Sequence, residues 1–284
     1  MASQKCYDKY VEYQEIDNWE KVSELKKLLD LSTKPKHLYY IGNLDPQIFK
    51  HCAAIVGSRK MTSYGQTVVE KMAPRLISQN ITIVSGFMYG VDQYAHRVCV
   101  ESGGKTIAVF GWGINTKLTG NDLKLAKDII ASGGLLLSEW EEQKASHWTF
   151  PVRNRIVAAL SDAVYVVEAA LHSGSLITAR LALKLKKELF AVPGPITSRT
   201  SFGTNKLIAD GKAKVWLGQD AINILQSVID DPMLQILDNE ALSADELALK
   251  LNVPISKIGA KLSMFLLSGQ LNEKGGKYYI NYVS

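Results

Sequence analysis

Short runs of consecutive apolar residues, many of them β-branched, recur through the middle of the chain. Six of these runs predict strands buried on both faces: Ala53–Val56, Ile81–Val84, Thr106–Phe110, Leu135–Leu137, Ala163–Val167 and Leu189–Val192. Segments with helical spacing of apolar positions lie near Tyr64–Ser78, Val91–Ser102, Asp122–Ala131, Asn154–Leu160 and Leu176–Lys186. Strands that alternate with helices predict an α/β fold with a doubly wound, mostly parallel sheet.

The pattern changes towards both ends of the chain. Residues 1–48 predict a short lead-in that packs on the main domain, with a helical segment around Trp19–Leu29 and an extended piece at His37–Ile41. Residues 49–229 carry the alternating pattern and end in a predicted helix around Asp220–Val228. Asp230-Asp231-Pro232 then marks a boundary, so residues 230–284 are predicted to form a small separate domain.

The small C-terminal domain reads as helix, turn, helix and hairpin. Ser243 and Glu246 fit a capping box in front of a first helix. Pro254 begins a second helix that extends to Leu267, and Gly275-Gly276 turns a hairpin. This order of elements is typical of a winged helix-turn-helix domain.

Small and polar residues follow five of the predicted strands. They are Gly57-Ser58-Arg59, Ser85-Gly86, Gly111-Trp112-Gly113, Ser138-Glu139 and Ser173-Gly174-Ser175. Doubly wound sheets bind their ligands at the carboxyl ends of the strands, so the five clusters together predict a ligand site at that edge.

The loop Ser173-Gly174-Ser175 has the composition of an anion site. Gly174 permits close approach to the backbone, the serines donate hydroxyls, and amide groups at the start of the next helix face the same point. Just upstream, a ring, two cations and an amide are supplied by Phe150, Arg153, Asn154 and Arg155. Charge for phosphates beside a flat face for bases indicates a nucleic acid strand, and the alternative is a surface loop that enters a helix.

Gly57-Ser58-Arg59 follows the first strand of the main domain. Ser58 and nearby amides would cradle a phosphate, and Arg59 would bind it through two parallel hydrogen bonds. The alternative is an ordinary turn with a surface arginine. The G-x-G-x-x-G pattern of dinucleotide sites is absent at this turn, so the sequence predicts no cofactor.

Candidate acid–base residues are few. Asp92 and His96 lie one helical turn apart and are either a carboxylate at a helix start with a hydrogen-bonded histidine, or an acid–base pair that lacks a nucleophile. Glu168 ends its strand, and we interpret it as the partner of a cation or as a cap of the Ser173 loop. No serine shows a nucleophile elbow and the five histidines show no metal-ligand spacing, so no catalytic residue and no metal are predicted.

Charge is unevenly distributed along the 284 residues. The chain carries a net charge of +5, but residues 230–284 hold seven acids and five lysines, so that segment is −2 and the preceding part is +7. Three widely spaced cysteines indicate a reducing cytoplasm. The sequence has no apolar run of membrane-spanning length and no signal-like start, so we expect no membrane partner.

In their order and spacing these motifs resemble the DNA-processing protein A (DprA, also called Smf) family. The matching signatures are Gly57-Ser58-Arg59, SGxxxGVDxxAH over Ser85–His96, Ser138-Glu139, FPxRNRIVAALS over Phe150–Ser161, VVEA at Val166–Ala169, SGSLITA over Ser173–Ala179 and AVPG at Ala191–Gly194. The resemblance extends from Tyr39 to the C-terminus. The chain departs from the family at Tyr89, where a basic or small residue is common, and at Thr116–Thr119, where relatives have Tyr-Pro.

The resemblance implies a Rossmann-like domain that binds single-stranded DNA without sequence preference. It further implies a cytoplasmic homodimer, not an enzyme, that loads a RecA-type recombinase onto incoming DNA in natural transformation. The residues expected to contact DNA are Ser58, Arg59, Phe150, Arg153, Asn154, Arg155, Ser173, Gly174 and Ser175.

Two alternatives stay open. The first is a hydrolase of nucleotide N-glycosidic bonds on the same fold, with Glu168 as its acid, although Ser173–Thr178 departs from the P-G-G-x-G-T of such enzymes. The second is a sequence-specific repressor that reads DNA through the winged helix, which the local charge of −2 disfavours.

Overall fold

The computed structural model describes residues 12–218 and 231–281, and a nine-stranded sheet is the core of its larger part. Its strands are β1 (Gln14–Glu15), β2 (Tyr39–Gly42), β3 (Cys52–Val56), β4 (Thr82–Ser85), β5 (Thr106–Val109), β6 (Leu135–Ser138), β7 (Ala163–Val166), β8 (Glu188–Ala191) and β9 (Lys214–Val215). They lie in the order β1-β2-β6-β5-β4-β3-β7-β8-β9. The strands from β3 to β9 are parallel to one another, and β2 is antiparallel to β6.

The order in which strands are added reverses at β3. Strands β4, β5 and β6 follow on one side of it, and β7, β8 and β9 follow on the other. The carboxyl ends of β3 and β7 therefore lie side by side, with Val56 paired to Val166. Such a reversal point is where sheets of this type form their binding crevice.

Helices cover both faces of the sheet. They are α1 (Ser63–Ser78), α2 (Val91–Glu101), α3 (Gly120–Ala131), α4 (Thr149–Leu160), α5 (Ser175–Lys184) and α6 (Phe202–Ala209). Residues of α1, α2 and α3 pack on one face, and those of α4 and α5 on the other. In β3, Ala53 and Ile55 pack with residues of α1 and α2 on one face of the sheet. Ala54 and Val56 pack with residues of α4 and α5 on the other face, so the strand is buried on both faces. The doubly wound, mostly parallel, Rossmann-like sheet predicted from the apolar runs is confirmed.

Helix α4 begins five residues earlier than the pattern predicts, at Thr149 rather than Asn154. Pro151 lies in its first turn, where the backbone N–H has no acceptor within the helix, so proline is tolerated there. Phe150 and Arg153 consequently belong to the first turns of a helix rather than to a loop. Their spacing of three places them on one helix face.

The helical segment predicted around Trp19–Leu29 is not one α-helix. Two 3₁₀ helices, Trp19–Lys21 and Ser23–Asp30, are separated by an extended Val22. Their core-facing residues recur every third position, at Trp19, Val22, Leu25, Leu28 and Leu31. That spacing matches the three-residue turn of a 3₁₀ helix better than the 3.6-residue turn of an α-helix.

The chain divides into two compact units between Trp216 and Leu217. The second contains helices α7 (Pro232–Leu237), α8 (Ala244–Leu251) and α9 (Ile255–Leu267) and the hairpin strands β10 (Leu271–Lys274) and β11 (Lys277–Ile280). The capping box of Ser243 and Glu246 is formed. The helix predicted around Asp220–Val228 lies outside the described residues. The winged-helix class and the domain limits at residues 48 and 229 stay predictions.

Cys52 and Cys99 are buried, unpaired thiols, and Cys6 lies outside the described residues. Burial raises the pKa of both thiols to about 12, so neither is a reactive thiolate near neutral pH. Across residues 12–218 and 231–281, no helix combines the length and apolar character needed to cross a membrane.

Candidate functional site

A cleft of about 730 Å³ opens beside the carboxyl ends of β3 and β7, where the strand order reverses. Its walls come from the loop after β3, the start of α2, the first turns of α4, the loop before α5 and the segment after β8. Its charged and hydrogen-bonding side chains are Ser58, Arg59, Lys60, Asp92, His147, Arg153, Asn154, His172, Ser173, Ser175, Thr178, Arg199 and Thr200. Eight of the nine predicted site residues are among the lining, and Arg155 is the exception.

Two glycines let the loop after β4 pack against the loop after β3. A Cβ at Gly57 would lie 2.5 Å from the Val91 side chain, and one at Gly90 would overlap the carbonyl oxygens of Ser58 and Arg59. Gly90 also has a φ of 80°, which disfavours any L side chain. The Val91 N–H donates to the Ser58 carbonyl at 3.2 Å. These contacts position the loop that carries Ser58 and Arg59.

Arg59 and Phe150 form a cationic and aromatic wall. Arg59 is exposed, and its guanidinium carbon lies 5.0 Å from the centroid of the Phe150 ring, a cation–π geometry. The ring is held from behind, because Trp112 meets it edge-on with 6.2 Å between ring centroids. A Cβ at Gly111 would lie 2.7 Å from the ring, so the G-x-G at residues 111–113 makes room for Phe150.

The loop before α5 presents hydroxyl groups rather than helix amides. The Ser173 and Ser175 hydroxyl oxygens lie 2.8 Å apart. The N–H groups of Leu176 and Ile177 donate to the carbonyls of Ser173 and Gly174, at 3.1 and 3.0 Å. These amides are engaged within the protein, which corrects the expectation that they face a ligand. Gly174 is exposed with a φ of −58°, and a Cβ there would meet no protein atom within 4 Å.

Asn154 connects α4 to that loop. Its Nδ2 donates to the Gly174 carbonyl at 3.3 Å, and its Oδ1 accepts from Arg153 Nε at 3.2 Å. Both ends of the amide are therefore used inside the protein. Asn154 lines the cleft, but its hydrogen bonds position the loop and the neighbouring arginine.

Two opposite charges, Asp92 and Arg153, lie beside Gly86 at the floor of the cleft. A Cβ at Gly86 would overlap Asp92 Oδ2 and lie 2.5 Å from Arg153 Nη2, so glycine leaves room for both groups. Arg153 is 2% exposed and donates to the Val109 carbonyl. Burial lowers the pKa of Arg153 to about 10, against the pull of Asp92. Burial raises the pKa of Asp92 to about 6, although Arg153 and Arg59 both act to lower it.

His96 lies one turn after Asp92 on α2 and is completely buried. Its Nε2 is 2.5 Å from the Gly86 carbonyl and its Nδ1 is 2.7 Å from the Thr106 hydroxyl. Because a carbonyl only accepts, Nε2 carries the proton and donates it to Gly86. Burial lowers the pKa of His96 to about 4, so the ring is neutral at pH 7. It supports the turn at Gly86, which is the structural one of the two roles considered for it.

Arg155 is held outside the cleft. Its two terminal N–H groups donate to the Glu139 carboxylate at 2.6 and 2.5 Å, and its Nε donates to the Thr33 carbonyl at 2.8 Å. Residues two apart on a helix point about 200° away from each other, so Arg153 and Arg155 cannot face the same site. The structure therefore does not bring Arg155 to the predicted phosphate site, and this side chain links α4 to β6 and to the segment before β2.

Glu168 is buried and is not part of the cleft lining. Its carboxylate accepts from the Thr62 amide at 2.9 Å, the Thr62 hydroxyl at 2.7 Å and the Thr200 hydroxyl at 3.1 Å. The sequence predicted a cation or the Ser173 loop as the partner of Glu168, and the structure has Thr62 and Thr200 instead. In the part of the chain that the structure describes, no three His, Cys, Asp or Glu side chains are grouped so as to hold a metal.

Four basic residues of the described lining were not selected from the sequence. Lys60 and Arg199 are exposed cations, and His147 and His172 are exposed histidines. Lys60 could have been found from its position next to Arg59. Arg199 gave no local signal, because only the return of the chain after β8 brings it to the cleft.

A doubly wound sheet with a cationic and aromatic cleft at the point where the strand order reverses is the architecture of an α/β domain with a crevice at its carboxyl edge. Residues 18–228 match the family described as DNA recombination-mediator protein A. The chain belongs to this family.

Relatives with known sequences support the assignment. The chain is 38% identical over 201 residues to Protein Smf of Escherichia coli (strain K12), which covers 70% of this chain and 54% of that protein. It is 39% identical over 196 residues to DNA processing protein DprA of Streptococcus pneumoniae, covering 69% of this chain and 68% of that protein. The matched region spans about half the length of the E. coli protein.

Solved structures agree with the sequence matches. DNA processing protein A of Streptococcus pneumoniae has a TM-score of 0.66 at 32% identity and covers 78% of each chain. The protein of the same name from Helicobacter pylori, solved for its single-stranded DNA binding mode, has a TM-score of 0.65 at 33% identity. That match covers 77% of this chain and 97% of the H. pylori chain.

Proposed function

We propose that this protein binds single-stranded DNA without sequence preference in the cleft, and that it acts as a recombination mediator rather than as an enzyme. The observation that carries the proposal is the exposed Arg59 guanidinium against the Phe150 ring. A guanidinium donates to phosphate oxygens, and a planar cation on an aromatic ring offers bases a stacking surface. The single-stranded DNA binding mode described for the H. pylori relative supports the same ligand.

The charge of the cleft favours a phosphate backbone. Its described lining contains four cations and one acid: Arg59, Lys60, Arg153, Arg199 and Asp92. Hydroxyl donors are added by Ser58, Ser173, Ser175 and Thr178. The Ser58 oxygen accepts from the Lys60 amide at 3.0 Å, which leaves its own proton for another acceptor. Phosphates and ring faces are common to all nucleotides, so contacts of this kind carry no sequence preference.

A ring at the cleft wall favours a single strand over a duplex. Bases in a duplex are stacked on one another and paired, so their faces are not accessible to Phe150. An unpaired strand exposes those faces, and stacking on an aromatic side chain stabilises it by about 1–3 kcal/mol per base. We therefore expect the cleft to discriminate against duplex DNA.

Several candidate catalytic side chains of the described residues are engaged in contacts within the protein. The Ser173 and Ser175 hydroxyls contact each other, and His96 is buried and neutral. Glu168, the acid of the N-glycosidic hydrolase alternative, is not part of the lining and accepts three hydrogen bonds from Thr62 and Thr200. We accordingly favour binding over hydrolysis, and release of free base from a nucleoside monophosphate would contradict that choice.

The recombinase part of the proposal rests on family membership. We propose a homodimer that loads a RecA-type recombinase onto incoming DNA in natural transformation. Two measurements test it: sedimentation of the purified protein for the dimer, and the rate at which recombinase filaments nucleate on single strands. An unchanged nucleation rate would contradict the loading role without affecting the DNA-binding proposal.

The DNA-binding proposal is tested by fluorescence anisotropy with a labelled thymidine oligonucleotide and a duplex of equal length. We expect tighter binding to the single strand, and an affinity that falls as salt rises because bound phosphates release counterions. Equal affinity for the duplex, or no dependence on salt, would contradict the proposal.

A further inference from the structure

Asp92 is the one acid in the described lining of a cleft that otherwise holds cations. It lies at the floor, against the Arg153 side of Gly86. Its position is unusual for a phosphate site, because a carboxylate repels the ligand that the surrounding guanidiniums attract. The cleft therefore contains its own anion, which a bound phosphate would have to approach.

Two arginines from other elements act on the Asp92 carboxylate. They are Arg153 from α4 and Arg59 from the loop after β3, and the Met88 amide hydrogen-bonds to the carboxylate, whereas the Ser85 hydroxyl donates its proton to the Ile55 carbonyl at 2.6 Å. A Cβ at Gly86 would overlap Asp92 Oδ2 and lie 2.5 Å from Arg153 Nη2, so the carboxylate and the guanidinium approach the same glycine. The simplest way for Asp92 to lose its charge in this position is to take up a proton.

Given the proposed single-stranded DNA binding, on which this inference rests, we propose that Asp92 is a proton-linked counter-ion of the cleft. The negative charge of a bound phosphate takes the place of the Asp92 charge beside Arg59 and Arg153, and the Asp92 carboxylate takes up one proton from solvent. The deprotonated protein, the DNA strand and one proton together give the complex with a neutral Asp92. Binding therefore strengthens as the solution is acidified.

The direction of the pH dependence follows from the negative charges of the phosphate and the carboxylate. A phosphate nearby disfavours the ionised carboxylate, so the pKa of Asp92, already raised to about 6 by burial, rises further in the complex. The affinity is then highest below about pH 6 and is lost as the pH rises through the pKa of the complex. Each unit by which DNA raises this pKa gives about a tenfold change in affinity.

Two lining histidines must be separated from Asp92 in any test of pH dependence. His147 and His172 are exposed at the cleft, and protonation of a histidine near DNA would also strengthen binding. His96 lies on the same helix as Asp92, but burial lowers its pKa to about 4, so it stays neutral over the relevant range.

The experiment is calorimetric titration of the full-length protein with a thymidine oligonucleotide, whose bases do not titrate between about pH 6 and 8. Repeating it near neutral pH in two buffers of different ionisation enthalpy gives the number of protons taken up on binding. We expect net proton uptake and an affinity about tenfold higher near pH 6 than near pH 8. The double variant His147→Gln/His172→Gln should retain most of the uptake.

The variant Asp92→Asn keeps the size of the side chain and removes its titration. It should bind near pH 8 with about the affinity that the wild type reaches near pH 6, and its proton uptake should fall to the histidine share. If Asp92→Asn does not fold, the proton uptake of the wild type and of the histidine double variant still decides whether a group other than the two histidines takes up the proton. Strand binding without proton uptake, or uptake that the histidine double variant abolishes, overturns the inference alone. Absence of strand binding at both pH values overturns the proposed function as well.

Discussion

The guanidinium carbon of Arg59 lies 5.0 Å from the centroid of the Phe150 ring. The two residues are distant in the chain: Arg59 lies in the loop after β3 and Phe150 in the first turn of α4. The ring is held from behind by Trp112, whereas the guanidinium is exposed. At this wall the packed Phe150 ring contributes to the stability of the fold, whereas the exposed Arg59 guanidinium is available to a ligand. Substitutions of Arg59 should therefore change binding without changing folding.

Arg59→Ala should weaken single-strand binding about tenfold or more, because a hydrogen bond to a charged group contributes about 1.5–3 kcal/mol. Its melting temperature should stay close to that of the wild type, since an exposed cation contributes little to the core. Anisotropy titration and thermal unfolding measure the two effects. A large loss of stability without loss of affinity would show that Arg59 is structural.

A matched control for that variant is Arg97→Ala. Arg97 is an exposed arginine on α2 that does not line the cleft. The Arg97→Ala variant removes the same charge from the molecule as Arg59→Ala does, so it measures the effect of net charge on affinity by itself. Affinity should change much less than for Arg59→Ala, and an equal loss would show that long-range charge explains both.

Gly174→Ala should fold normally and bind DNA more weakly. A Cβ at Gly174 meets no protein atom within 4 Å and its φ of −58° suits alanine, so replacing it should raise stability by about 0.4–1 kcal/mol. The added methyl group would occupy space on the solvent side that the strand needs. Gly259→Ala, at an equally open glycine in α9, is the control and should leave affinity unchanged. Unaltered binding by Gly174→Ala would show that the ligand does not approach this loop.

Arg155→Ala should destabilise the protein by about 3–5 kcal/mol, because it leaves the Glu139 carboxylate buried without its partner. The double variant Arg155→Leu/Glu139→Leu should recover much of that loss, since no unpaired charge remains. Denaturant unfolding gives the free energies. The folded fraction of either variant should bind DNA as the wild type does, and a specific loss of affinity in a stable variant would return Arg155 to the binding site.

Asp92 and His96 should make opposite contributions to the pH dependence of stability. The pKa of His96 is lowered from 6.5 to about 4 in the folded state, so its stabilising contribution is complete above pH 6.5 and is lost as the pH falls through 4. The pKa of Asp92 is raised from 3.8 to about 6, so its contribution is complete below pH 3.8 and is lost as the pH rises through 6. Each contribution amounts to about 3 kcal/mol.

The measurement is the free energy of unfolding of His96→Gln and Asp92→Asn between about pH 4 and 6.5, each compared with the wild type. Relative to the wild type, His96→Gln should gain stability on acidification and Asp92→Asn should lose it. The same pH dependence in both variants would show that neither group is shifted as described.

Removal of residues 217–284 should leave single-strand affinity within about threefold of the full chain, a difference of less than 1 kcal/mol. All residues that line the cleft belong to the first unit. In the second unit, Lys250, Lys261 and Lys277 are paired with acids, which reduces the positive charge available to DNA. A truncated protein that folds but no longer binds would identify the second unit as a DNA reader.

Local patterns predicted the elements because strand and helix formation depend on neighbours in the chain. An unbroken apolar run such as Ala53–Val56 can only be buried on both faces of a strand, and the structure places it so. At Trp19–Leu29 the pattern predicts a helical segment, and the structure has two 3₁₀ helices there with an extended residue between them. The predicted start of α4 at Asn154 is five residues later than the observed start at Thr149, because a proline such as Pro151 is tolerated in the first turn of a helix.

The sequence by itself predicted a candidate site at the carboxyl edge of the sheet, since parallel strands place all their carboxyl ends at one edge. Of the five predicted loops, those after β5 and β6 do not line the cleft. Only the tertiary structure decided which side chains reach it. Arg153 and Arg155 look equivalent in the sequence, but the helix turns one towards the cleft and the other towards Glu139. Arg199 enters because the chain returns after β8, and Asp92 becomes important because burial raises its pKa to about 6. Packing, burial and the direction of a side chain depend on residues distant in the chain, so no local pattern could specify them.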